Sequence, residues 1–241
     1  MTEIQAIGAR DFAIEKRINL ILCAAIFVLG ISSYITAVVT DAKGDFLSLF
    51  RFMTINGTLL STGTALCAFC INLLELKLGA ELYSRFFYLL RLSSAVTECV
   101  IALVIAMTLL PFVPDDPELL KYDSFCMHVI IPPLTVASFV INDLAPSPLR
   151  RRERFSGAAP VTIYASVMIP LILIGAIPKK RIPYSFMRFD DHPLWYSLLF
   201  AMTLLALTYV LTTAFSAWNR GFRRRRLRGS AVKRGEDKYS G

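Results

Sequence analysis

The chain has 241 residues, 55% hydrophobic and 18% charged, with a net charge of +8 and a mean hydropathy of +0.56. A positive mean hydropathy at this length excludes an ordinary soluble domain, and the charges cluster between apolar runs of roughly 17–27 residues, the length that crosses a bilayer. The basic excess sits in short blocks flanking those runs, so no nucleic-acid partner is expected.

Residues 1–17 mix acidic and basic side chains, and the apolar run that follows is too long for the core of a cleaved signal peptide and lacks a small-residue cleavage site. Residues 18–39 are therefore predicted to be an uncleaved first span. Further spans are predicted at 52–74, 86–112, 125–141, 160–177 and 194–218, all helical because a segment in lipid must satisfy its backbone hydrogen bonds internally.

Eighteen of the 26 Lys and Arg residues fall on the side of the two termini and seven on the opposite side, so both termini are predicted to be cytoplasmic. The expected fold is an all-α, single-domain, six-transmembrane-helix bundle. Residues 1–17 form a cytoplasmic segment, 18–218 the membrane domain and 219–241 a basic cytoplasmic tail. The Arg223–Arg226 and Arg228 block in that tail is expected to meet anionic lipid headgroups, at about 1 kcal/mol per basic residue.

Polar residues inside spans are costly and therefore informative. In the second span Thr54, Thr58, Ser61 and Thr62 share a helical face, and in the fourth His128, Thr135, Ser138 and Asn142 do the same. The third carries Arg91, Ser94 and Glu98, the last being the only carboxylate near the middle of any span. These faces are expected to turn toward one another inside the bundle.

The five cysteines read as small packing residues, including the Cys67/Cys70 pair, which lacks a second ligand pair. His192 follows Asp190 and Asp191 without organised ligand spacing. No metal and no cofactor is expected, and no phosphate-binding glycine loop, G-x-S-x-G elbow or H-E-x-x-H pattern occurs.

Thr54 and His128 lie at matching depth, roughly 3–5 Å below the interface opposite the termini at about 1.5 Å per residue. A threonine hydroxyl is a weak nucleophile until a base takes its proton, and imidazole titrates near neutrality. Contact between the second and fourth spans would make the pair an ester or amide hydrolase. Pro132 deprives the His128 carbonyl of its helical donor and, with Pro133, predicts a kink beside the histidine.

At these positions the chain resembles a known family. Phe50-Arg51-Phe52-Met53-Thr54, His128-Val129-Ile130-Ile131-Pro132, the stretch from Pro160 to Tyr164, and Pro183-Tyr184-Ser185-Phe186 occur in the order seen in the six-span family of the androgen-induced protein. That resemblance implies an intramembrane threonine hydrolase cleaving fatty-acid esters of hydroxy fatty acids, with Thr54 as nucleophile and His128 as catalytic histidine.

The chain departs from the family in two places. Thr58 stands where many relatives have asparagine, with Asn56 two residues earlier, and Ser138 stands where relatives often have an acidic residue. Glu98 or the Asp190/Asp191 pair is a candidate substitute for the carboxylate that orients the imidazole. Asn56 and Tyr184 are candidate oxyanion donors. A membrane lipid carrying a fatty-acyl ester is the expected substrate. The alternative is a non-enzymatic membrane protein, a small proton- or solute-coupled transporter or a lipid-binding scaffold, but the chain has no internal repeat and only one interrupted span.

Overall fold

A computed structural model describes residues 3–40, 46–80, 82–108, 120–142 and 149–236, and no strand occurs among them. Six helices are long and apolar enough to cross a membrane, so the chain is an all-α, multi-pass membrane protein. They are α1 (Glu3–Thr40), α2 (Met53–Leu78), α3 (Arg85–Thr108), α4 (residues 122–142), α5 (Ala159–Leu173, entered through a 3₁₀ turn at Arg152–Ala158) and α6 (Leu194–Glu236).

Two boundaries differ from the hydropathy reading. α1 begins at Glu3, and α6 continues past its apolar part, Trp195–Gly221, to Glu236. Positions 17 and 218 thus mark the limits of the predicted apolar runs, not where the helices stop. The proposed headgroup contacts of the basic block, and the end of the third predicted span at 109–112, lie outside the described side chains and residues.

The helices approach closely where side chains are small. A β-carbon on Gly30 of α1 would lie 1.9 Å from the Thr62 hydroxyl oxygen of α2, and one on Gly57 would lie 2.5 Å from Ile101 Cδ1 of α3. Glu75 ties the termini-side end together. Its carboxylate takes the Leu82 amide at 2.7 Å and the Lys16 ammonium at 2.6 Å, closing the turn after Gly79 onto α1. Arg85 and Glu153 form a two-pronged ion pair that joins the start of α3 to the turn before α5.

The polar stripes turn inward, with Thr54 and His128 partly buried and the Asn142 side chain outside the described residues. Thr58, Ser61, Thr62, Arg91, Ser94, Glu98, Thr135 and Ser138 are buried, as lipid exclusion of polar groups requires. Cys67 and Cys70 are exposed, and all five cysteines are free thiols.

Just before Pro132 and Pro133, where the sequence predicts a disturbed helix, α4 widens. Residues Cys126–Ile130 form a π turn in which the Ile131 amide reaches back five residues to the Cys126 carbonyl. The prolines leave the His128 and Val129 carbonyls without their usual donors, and the π turn that holds His128 lies directly before them.

Candidate active site

Thr54 is the second residue of α2. Phe52, immediately before the helix, is extended (φ −93°, ψ 127°) and offers no side-chain cap. The first amides of α2 therefore lack acceptors within the helix. The Met53 amide instead donates to the Tyr184 hydroxyl at 3.0 Å, next to Thr54.

Tyr184 is fixed from several sides. Its ring stacks on Phe186 at 5.4 Å and meets Tyr164 edge-on at 6.4 Å. Its carbonyl accepts the Met187 amide at 3.0 Å, and Ser197 of α6 holds the Phe186 carbonyl at 2.6 Å. Burial raises the Tyr184 phenol above its usual range, against the pull of the Met53 and Thr54 amides, so the hydroxyl keeps its proton as a donor.

His128 Nε2 lies 3.2 Å from Thr54 Oγ1, and His128 Nδ1 lies 3.1 Å from Ser124 Oγ. The ring also bonds the backbone of Ser124, whose carbonyl, four residues back, points along the helix toward it. With the proton on Nδ1, where a carbonyl can accept it, the Nε2 lone pair faces the threonine. Ser124 was not singled out from the sequence. Its one signal is its position a single helical turn before His128.

Thr54 and Tyr184 open onto an apolar cavity of about 250 Å³. Its walls come from α3, α5, α6 and the 184–189 segment, with Val104, Ile169, Phe200 and Leu204 as typical members.

The remaining residues named from the sequence lie elsewhere. Asn56 gives its amide to the Phe50 and Phe52 carbonyls, each at 2.7 Å, closing the start of its own helix, and so does not serve as an oxyanion donor. Thr58 is buried deeper in the interior, where its carbonyl takes Ser61 at 3.0 Å and Thr62 at 2.6 Å. Glu98 accepts from Ser61 at 2.7 Å, roughly two helical turns below Thr54.

Ser138 belongs to a separate buried cluster, accepting from Arg91 and donating to Asn19, both at 2.6 Å. Asp191 pairs with Lys179 at 2.7 Å, which lowers the carboxyl's pKa and raises the ammonium's. With both ring nitrogens of His128 taken by Thr54 and Ser124, neither Glu98 nor the aspartate pair orients the imidazole. His192 meets the Tyr196 ring at a tilt, 4.9 Å between centroids, and no cluster of potential metal ligands occurs among the described residues.

Fold and site together define a six-helix membrane protein with a threonine–histidine pair beside an apolar cavity. Comparison with protein-family models, curated proteins and solved structures gives no match to this chain.

Proposed function

We propose that this protein hydrolyses a fatty-acyl ester that partitions into the bilayer, with Thr54 as nucleophile and His128 as general base. The observation that carries the reading is the 3.2 Å approach of His128 Nε2 to Thr54 Oγ1, with the opposite ring nitrogen held by Ser124. The family resemblance of the surrounding residues supports the same pair and the same class of substrate.

In the first half-reaction Thr54 Oγ1 attacks the acyl carbon while its proton passes to His128 Nε2. The negative charge that develops on the carbonyl oxygen forms at the start of α2, where the helix dipole favours an anion. The Tyr184 hydroxyl, which meets the Met53 amide at the start of α2, supplies a side-chain donor. Collapse breaks the ester bond, and His128 returns the proton to the departing alkoxide. In the second half-reaction His128 deprotonates a water, which releases the fatty acid and restores the Thr54 hydroxyl.

The cavity supports a hydrocarbon acyl group. A 150 Å³ apolar cavity takes benzene, so in proportion about 250 Å³ holds an acyl segment on the order of ten carbons. The test is hydrolysis of long-chain acyl esters by the purified full-length protein. Thr54→Ala and His128→Ala each abolish turnover; a fully active Thr54→Ala protein overturns the proposal.

A further inference from the structure

A second cavity, of about 410 Å³, lies on the outer flank of the bundle between α2, α3 and α5. Leu60, Leu90, Pro160 and Ile163 supply much of its apolar lining. The polar side chains on its wall are engaged elsewhere. Asn56 holds the Phe50 and Phe52 carbonyls, Ser93 the Leu89 and Ser156 carbonyls, and Tyr164 the Arg51 carbonyl. What the groove presents is therefore hydrocarbon.

Its rim faces outward within a span, with Ile163 64% and Val167 54% exposed. Leu60 is roughly 10 Å along α2 from one membrane face, and Leu90 roughly 7 Å along α3 from the other, so the groove crosses the middle of the bilayer. Only lipid tails are available there to fill it.

Tyr164 is the one residue that lines both this groove and the inner cavity. Its hydroxyl is pinned to the Arg51 carbonyl, three residues before Thr54, and its ring meets the edge of Tyr184. This one side chain, held by one hydrogen bond, belongs to the wall of the lipid-facing groove and to that of the space beside the threonine.

We infer that the groove is the lateral entrance for an acyl chain of a bilayer lipid, and that Tyr164 is the gate through which the chain passes into the inner cavity. The inference rests on the hydrolase reading for the fate of the chain, though the groove's occupancy can be measured without turnover. Breaking the Tyr164–Arg51 bond and rotating the ring joins the two spaces, so the ester is delivered from the membrane and not from water.

The test uses full-length Thr54→Ala protein in phosphatidylcholine nanodiscs containing a long-chain alkyl ester with a mid-chain diazirine. Photolysis followed by peptide mapping reads where the chain resides. Adducts are expected on Leu60, Ile163 and Val167 in the groove and on Phe200 and Leu204 in the cavity.

Adding Val167→Trp fills the groove and lowers the cavity adducts at least roughly tenfold, a factor equivalent to about 1.4 kcal/mol. Val28→Trp, on a position 62% exposed on α1, leaves them unchanged. Tyr164→Phe, which removes only the pinning hydroxyl, raises the proportion of adducts found in the cavity. Adducts spread evenly over the outer face of α1 and the groove, or cavity adducts unaffected by Val167→Trp, overturn the inference. Because adducts record occupancy, a failure of hydrolysis with groove labelling intact is a failure of the enzyme reading alone.

Discussion

Ser124→Ala tests how the histidine is held. His128 Nδ1 meets the Ser124 hydroxyl at 3.1 Å, and the Ser124 carbonyl lies one helical turn back on the same side of the ring. Deleting the hydroxyl leaves the backbone carbonyl in place, so the imidazole loses one hydrogen bond while keeping its tautomer. A neutral hydrogen bond contributes about 1 kcal/mol net, which corresponds to a fall of roughly fivefold in kcat/KM. Removing the imidazole with His128→Ala instead deletes proton transfer, at a cost of roughly 10²–10⁴-fold. Initial rates of acyl-ester hydrolysis by the two variants in the same lipid, over a range of pH, give the comparison directly. Ser124→Ala as inactive as His128→Ala would refute the reasoning, since the backbone would then not be holding the tautomer. An unchanged rate would refute it too, since the hydroxyl contact would then do nothing.

Three further outcomes follow from the packing and the charges. The Lys16–Glu75 pair is almost fully enclosed, so Lys16→Met alone strands a buried carboxylate and destabilises the protein by about 3–5 kcal/mol, while Lys16→Met with Glu75→Leu recovers much of the loss in a thermal-aggregation assay. Gly30→Ala drives a methyl into Thr62, whose hydroxyl is committed to the Thr58 carbonyl at 2.6 Å, and costs about 1–3 kcal/mol. Adding Thr62→Ala relieves that cost, as read by the midpoint of thermal unfolding in detergent. The Asp191 carboxyl is held below its usual range by Lys179, so their pairing contributes above roughly pH 4 and is lost as pH falls through the folded pKa. Amide exchange in residues 179–191, compared between wild type and Asp191→Asn, should therefore differ near neutrality and converge in acid.

The six spans were legible because lipid leaves the backbone no alternative to long apolar helices, and the polar stripes because lipid penalises their exposure. The closeness of Thr54 and His128 was legible as a matter of depth, two side chains set at the same level on helices entering from one face. Hydropathy does not mark where a helix ends in water, which is why α1 and α6 run past positions 17 and 218. Two adjacent prolines announce a disturbed helix, but the wider turn just before them is not marked by any residue of its own.

The third partner was missed because the search was for a carboxylate, while the structure uses a hydroxyl one turn before the histidine. Asn56 and Ser138 were misdirected for a related reason. Their nearest partners, the Phe50 and Phe52 carbonyls in one case and Arg91 and Asn19 in the other, are set by tertiary contacts or local chain reversal. The cavity walls come from four helices and a loop far apart in sequence, and no local pattern encodes them.

The most direct test of the central claim is to find the covalent adduct. Full-length protein is treated with a long-chain fluorophosphonate, digested and mapped by mass spectrometry. The account predicts a single modification on the Thr54 hydroxyl that is lost in His128→Ala; a modification on another residue, or equal labelling of wild type and Thr54→Ala, contradicts it.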